Sequence, residues 1–530
     1  MIFYRLKQNC IARKNIFQKN GSIIDATIAT MFCAGLTNMQ SMGIGGGFIM
    51  NVYIKKHKKA YTLDAREISA KKATEDMHLH DPSTTNEGPL SIATPGELKG
   101  YWEAHQRFGK LPWREILQPS IDICNNGFPM SKHMYDSLHI NWKVKLDQQL
   151  REMFVDNSTS EFLKPGTLIK PKKLCKTLRY IAEKGGNSLY NGKLGEDFAE
   201  DLKEIGSIIT KDDLDSYSVR WDDSIPVNIN GDTMYVIPPP GSGILLSFIV
   251  NILRNYNFGP ESLSTVNATI LTYHRIIEAF KHSYGKRTMI GDPKFVSVDE
   301  LVRNLTSPDY AEQIRMSIDD NKTKPDYSDY GGQFYIKDSH GTAHISLLGP
   351  NGDAVSITSS VNFYFGAALT GSRTGIIMNS GMDDFSSPGL KNYFGLPGTE
   401  RNYIRPQKRA ISSMSPTIIV GSNGNVKLVV GAAGGTKITT AVAMIIMKIL
   451  WFGKDIKEAV DTPRIHHQLI PMALQYEFGN LEIILRGLQA KGHSIHRYRE
   501  RGSIVCGIAQ NKTGVYANAD FRKGGEVSGF

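Results

Sequence analysis

The chain has little cysteine, no long apolar run and no internal repeat, and each absence closes off a class of protein. Five cysteines, Cys10, Cys33, Cys124, Cys175 and Cys506, are spread over 530 residues with no C-x-x-C pair and no histidine at zinc-like spacing. That excludes a zinc module, and an odd, sparse set fits either free thiols in the cytosol or a few bridges in a secreted protein. The opening residues, MIFYRLK, lack the roughly 7 to 15 apolar residues of a signal-peptide core. The most apolar helix candidate, residues 438–452, contains Lys448 and falls short of the roughly 20 residues needed to cross a bilayer. With no visible anchor or export signal, the expectation is a cytosolic protein or one whose start lies further upstream.

What is present is the composition of a soluble globular fold, 41% hydrophobic and 22% charged. At this length a prior of about three or four domains competes with one large α/β unit. The formal charge of +10 raises the question of nucleic acid. The basic residues, however, fall in short runs such as KKHKK from Lys55 and KPKK from Lys170, with no aromatic residues interleaved. They read as solvated turns, and no nucleic-acid partner is expected. Sequons at Asn20, Asn157, Asn267, Asn304, Asn321 and Asn511 are compatible with secretory traffic, and the last five are glycosylation candidates. His466 and His467 have no ligand partners at useful spacing, so no metal or organic cofactor is expected.

Periodicity sets the order of elements. Residues 23–36 have helical spacing, and the glycine run GIGGG from Gly43 leads into an extended stretch, residues 48–53, whose hairpin partner is residues 60–64. Because the glycines follow a helix and open a strand, the reverse of a phosphate-binding βα turn, they point to close backbone packing rather than a dinucleotide site. Helical patterns follow at residues 113–125, 194–205, 245–256 and 267–284, with a polyproline turn after the strand beginning at Tyr235. Hairpins are then expected at 343–348 with 354–359, across the turn GPNG, and at 416–420 with 426–430. The second runs through GAAGGT into the apolar helix. Two hairpin-rich sheets flanked by helices predict an α+β fold, a layered αββα sandwich.

Several segments carry a family resemblance. HGTAH from His340, AVSITSSVNFYFG from Ala354, MDDFS from Met382, SSMSP from Ser412, GAAGGT from Gly431 and RKGGE from Arg522 resemble the small-subunit motifs of γ-glutamyltransferases. Upstream, SMGIGGG from Ser41, DARE from Asp64, ATPGE from Ala93 and GDPK from Gly291 extend the likeness over nearly the whole chain. The resemblance implies a four-layer αββα sandwich of the N-terminal nucleophile hydrolase type, made as a precursor that cuts itself at Gly341-Thr342. The products would be a large subunit, residues 1–341, and a small one, residues 342–530, forming one catalytic domain.

It also implies the site. Thr342 would be the nucleophile, its freed α-amine the base, since a threonine hydroxyl needs an adjacent base and an α-amine titrates near pH 7.7–8.0. Ser360, where the family usually has Thr, would support it, and Gly434 and Gly435 at a strand-to-helix transition would form the oxyanion hole. Arg66, Ser412 and Ser413 would bind the donor's α-carboxylate, and Asp384 and Asn362 its α-ammonium. Gly381 stands where the family usually has an acidic or amide residue on that ammonium, which predicts weaker γ-glutamyl binding or an altered choice of substrate. The implied reaction takes a γ-glutamyl group from glutathione or a related compound to water or to an amino-acid or dipeptide acceptor. The alternative is a secreted, self-cleaving member with little turnover and a binding role. The resemblance further implies an extracellular or cell-surface location and a Cys10–Cys33 disulfide.

Overall fold

A computed structural model describes residues 15–334, 341–391, 395–498 and 502–529. Eleven strands build its two main sheets: β1 Gly47–Ile54, β2 Lys59–Ala65, β3 Arg220–Asp223, β4 Ile225–Ile229, β5 Asp232–Val236, β6 Gly341–Leu348, β7 Ala354–Asn362, β8 Thr417–Val420, β9 Val426–Ala433, β10 Ile504–Asn511 and β11 Gly514–Ala519. The first sheet runs β3-β2-β1-β7-β6 and the second β11-β10-β9-β8-β5-β4, every neighbour antiparallel. Seven helices matter here: α1 Ile23–Thr37, α2 Glu97–Phe108, α3 Trp113–Asn126, α4 Lys172–Lys184, α5 Gly243–Arg254, α6 Val266–Arg287 and α7 Lys437–Leu450. The first four cover the outer face of the first sheet, and α5, α6 and α7 that of the second. This is the αββα sandwich expected from the sequence.

Side-chain alternation explains why the central strands read as almost continuously apolar. In β1, Phe48, Met50 and Val52 point into the helix-side core, whereas Ile49 and Tyr53 point toward the second sheet. Between the sheets, Asn51 donates its side-chain amide to the carbonyls of Tyr235 and Pro416, at 2.9 and 3.2 Å. The glycine run before β1 does serve close backbone packing. A Cβ at Gly45 would lie 2.0 Å from the Ile377 oxygen, and one at Gly46 2.2 Å from the Ser360 oxygen.

The helices expected from periodicity form within one to three residues of their anticipated ends, and the two hairpins are β6–β7 and β8–β9. Two features have no local signature. The hairpin β10–β11 completes the second sheet, and the chain changes sheets at Ser224, between β3 and β4. There the Ser224 hydroxyl bonds Asn51 and Thr62, and its amide bonds the Ala60 carbonyl, so polar groups of the first sheet fix the corner.

The cysteine pairing needs correction. The bridge among the described residues joins Cys124 of α3 to Cys175 of α4, with the Cα atoms 5.5 Å apart. Cys33 is a free thiol on the buried face of α1, 3.4 Å from the Ser120 hydroxyl and pushed up to about 12 by burial. Cys10 lies outside the described residues. The sequons at Asn157, Asn267, Asn321 and Asn511 are exposed, and Asn304 is half-buried.

The 124–175 bridge closes 51 residues of chain, for which unfolded-state entropy gives about 4 kcal/mol. Cys124→Ser is therefore expected to lower the unfolding midpoint and to abolish its sensitivity to reductant, while Cys33→Ala leaves that sensitivity intact. Denaturant melts with and without dithiothreitol check both.

Candidate active site

A register slip builds the first part of the site. Gly341 pairs with Asn362, but Thr342 pairs with Ser360, so β6 and β7 are offset by one residue at the Gly341-Thr342 bond. Such bulges re-aim side chains at a strand end. Alternation then puts Thr342 and Ser360 on the face between the sheets, both 4% exposed. The Ser360 hydroxyl donates to the Gly341 carbonyl oxygen at 2.5 Å, lies 3.2 Å from Thr342 Oγ1 and accepts from the Asn362 amide at 2.9 Å. With its single proton on the Gly341 oxygen, it must act as acceptor toward Thr342.

Close contact explains Gly341. A Cβ there would lie 2.4 Å from the Phe363 oxygen and 2.8 Å from that of Asn362, so a larger residue would push β6 off β7. Asn362 itself sits at φ 75°, and its side chain donates to the Ser380 carbonyl at 2.8 Å. On the other side, Lys523 donates to the Thr342 carbonyl at 2.9 Å and to the Ser41 hydroxyl at 3.3 Å.

Arg66 leaves β2 into the same space. Its guanidinium donates to Ser412 at 3.0 Å and to Asp384 at 2.5 Å, and its Nε lies 3.0 Å from Glu67. Burial opposes its charge, but Glu67 and Asp384 outweigh that and hold its pKa above the usual arginine range. Burial raises the Asp384 and Glu67 carboxyls, with Arg66 pulling the other way. Behind it, Asp64 accepts from the Arg66 amide and faces Arg409 and Arg220 at 3.3 and 3.4 Å.

Thr342, Ser360, Asn362, Arg66, Asp384, Ser412, Ser413 and Gly435 line one small cavity of about 20 Å³. Gly434 and Gly435 take φ 124° and 57° between β9 and α7, a turn that L side chains rarely adopt. Gly435 reaches the cavity, whereas Gly434 packs against Ser503. Gly381 is buried outside the lining. A Cβ there would lie 3.0 Å from Asn379 Oδ1 and 3.5 Å from the Glu67 Cβ, so an acid at 381 would stand beside Glu67.

Sequence reasoning missed three groups. Arg287, the last residue of α6, lines the cavity and donates to Ser413 at 2.7 Å. Lys523 anchors the strand that carries Thr342, and Glu97 of α2 lies behind β7, accepting from Ser359 at 2.6 Å and from the Tyr101 hydroxyl. Arg287 and Lys523 stand inside or next to motif segments, but nothing in their spacing distinguishes them from surface cations.

Away from this cavity, His274, Glu278 and His493 place ligand-type atoms within 4.8 Å of one another. His274 Nδ1 and His493 Nε2 are 2.8 Å apart, and Lys281 donates to Glu278 at 3.0 Å and lies 3.3 Å from His493 Nδ1. Lys281 thus stands against two of the three groups, and together they form a buried hydrogen-bonded network.

The gamma-glutamyltranspeptidase family matches residues 11–530. Scoloptoxin SSD14 of Scolopendra dehaani is 40% identical over 521 residues, covering 98% of this chain and 90% of its own. Glutathione hydrolase 5 proenzyme of Homo sapiens is 34% identical over 540 residues, covering 97% and 90%. Among solved structures, cephalosporin acylase from Bacillus halodurans superposes with a TM-score of 0.82 at 24% identity, covering 98% of this chain and 94% of that one. That last likeness carries the fold.

Glu97 yields a pH prediction. It is fully buried, and desolvation, opposed by Ser359 and Tyr101, raises its carboxyl from 4.5 to about 8. The folded state thus holds this proton more tightly than the unfolded chain. The associated stability is fully present below about pH 4.5 and is lost as pH rises through about 8. Glu97→Gln is expected to flatten the fall in denaturation midpoint across that window, read by melts at half-unit pH intervals.

Proposed function

The chain belongs to the gamma-glutamyltranspeptidase family, and from that premise we propose a γ-glutamyl hydrolase and transpeptidase that activates itself by cutting Gly341-Thr342. The observation that carries this reading is the Ser360 hydroxyl bonded to the Gly341 carbonyl and adjacent to the Thr342 hydroxyl, at the edge of a cavity holding Arg66, Asp384, Ser412 and Ser413.

In self-cleavage, Thr342 Oγ1 attacks the Gly341 carbonyl carbon, and negative charge develops on the oxygen that Ser360 already bonds. The Gly341–Thr342 amide breaks as the ester forms, the threonine hydroxyl proton passing to the departing Thr342 nitrogen, and water then releases the Gly341 carboxylate. The Thr342 amine is now free. In turnover it takes the proton from its own hydroxyl, which attacks the γ-carbonyl of the donor. Backbone amides at Gly434 and Gly435 receive the oxyanion, and the leaving amine takes the proton. The ester on Thr342 then passes its glutamyl group to water or to the amine of an amino acid or dipeptide.

Arg66, Ser412 and Ser413 hold the donor's α-carboxylate, and Asp384 and Asn362 its ammonium. Glutathione and related γ-glutamyl compounds are the donors this supports. The subunits are residues 1–341 and 342–530. They stay together because both sheets mix their strands, β1, β2 and β3 with β6 and β7, and β4 and β5 with β8 to β11. Secretion or a cell-surface position fits the exposed sequons. No helix among the described residues is long and apolar enough to cross a membrane.

Two variants test the reading. Thr342→Ala should remain a single chain and show no hydrolysis of a chromogenic γ-glutamyl anilide, whereas the parent yields two chains and activity. Ser360→Ala removes one donor to the developing oxyanion, so self-cleavage should slow by about 10² to 10³, timed by intact mass. A parent that cleaves itself but leaves the anilide untouched would point to a binding role instead.

A further inference from the structure

Two guanidinium groups reach the cavity from different layers. Arg66 comes from the end of β2 and Arg287 from the end of α6, and they donate to the adjacent hydroxyls of Ser412 and Ser413 at 3.0 and 2.7 Å. The serine pair is fixed from behind. The Ser412 amide bonds the Pro240 carbonyl at 2.9 Å, and Ser242 donates to the Ser412 carbonyl at 2.6 Å. A hydroxyl that accepts from a guanidinium keeps its own proton to donate. The four side chains thus present two positive charges and two available hydroxyl protons.

Negative charge in the cavity is scarcer. Among the described residues Asp384 is its one lining carboxylate, and it is in contact with Arg66. Glu67 is turned to Arg66 Nε, Asp383 accepts from Thr85 at 2.7 Å, and position 381 has no side chain. An incoming ammonium therefore finds Asp384, already paired, and the Asn362 oxygen. An incoming carboxylate finds Arg66, shared with Asp384 and Glu67, together with Arg287 and the hydroxyls of Ser412 and Ser413.

We propose that Arg287 is a second anchor for the donor's α-carboxylate, and that selection at this site rests on that carboxylate more than on the α-ammonium, so that glutaryl-type donors, diacid monoamides lacking the amino group, are accepted. This rests on the γ-glutamyl reading above and specifies its substrate class. Glutaryl transfer needs no new chemistry: Thr342 forms the same ester, the amine leaves with the same proton, and water or an amine takes the acyl group.

Three carboxamides isolate the two recognition elements: L-glutamine, glutaric acid monoamide without the ammonium, and 4-aminobutyramide without the α-carboxylate. On the self-cleaved protein, the monoamide should inhibit γ-glutamyl anilide hydrolysis within about tenfold of L-glutamine, and 4-aminobutyramide at least about tenfold more weakly than the monoamide. Arg287→Gln should weaken the two carboxylates about tenfold or more while leaving 4-aminobutyramide unchanged, with Arg287→Lys in between. The KM of the anilide should rise with kcat nearly constant. The shift in thermal midpoint produced by each compound reports the same ranking without turnover. A protein inactive on the anilide yet stabilised in this order would overturn the enzymatic reading and keep the carboxylate assignment. The proposal is overturned if 4-aminobutyramide binds as well as the monoamide, or if the Arg287 variants shift all three compounds equally or none. Should Arg287→Gln not fold, Arg287→Lys decides by the same ratios.

Discussion

The site depends on the one-residue slip between β6 and β7. Thr342 and Ser360 keep the register of the rest of the ladder, and the slip sets Gly341 opposite Asn362 rather than Val361, with its carbonyl on the Ser360 hydroxyl that also meets the Thr342 hydroxyl. The slip is possible because the Gly341 Cα has no substituent to strike the 362–363 backbone, and because Asn362 accepts a left-handed φ. Backbone strain of this sort costs about 1 to 3 kcal/mol and persists only where the surroundings fix it. Here they do: Gly46 packs on the Ser360 carbonyl, Ser380 receives the Asn362 amide and Lys523 holds Thr342.

A second constraint is the charge buried behind Arg66. Asp64, Arg220, Asp292 and Arg409 form a network in which Asp292 accepts from the Arg409 amide at 2.9 Å and faces Arg220 at 3.5 Å. Taking such charges out of water is costly, so the network is favourable only when nearly every partner is present, and removing one member typically costs about 3 to 5 kcal/mol. The return is positional. Asp64 fixes the backbone of Arg66, and the motifs DARE and GDPK, far apart in sequence, meet around it. Such motifs therefore need not touch substrate to matter to the site.

This separates what was legible in the sequence from what was not. Periodicity located the hairpins β6–β7 and β8–β9 and the long helices, because side-chain burial alone sets those patterns. Motif resemblance brought Thr342, Ser360, Arg66, Asp384 and the two serines to one place. The pairing of β10 with β9, the change of sheet at Ser224 and the Cys124–Cys175 bridge depend on contacts between distant segments, which no local pattern carries. The gap left by Gly381 looked like a plain loss. In space that glycine lies against Glu67, and its neighbourhood is already acidic on the side of Arg66.

The proposed position of the cut fits the same geometry. A break inside a central strand would release one of two neighbours and expose unpaired backbone, whereas β6 is the edge of its sheet and Gly341 its first residue. Thr342 keeps its pairing with Ser360 and its contact with Lys523, and neither requires the Gly341-Thr342 bond. Each sheet contains strands from both sides of the proposed cut, so the two pieces would share one buried core. Under the proposed reaction, cleavage there would free the Thr342 amine while the strand that carries it stays in register.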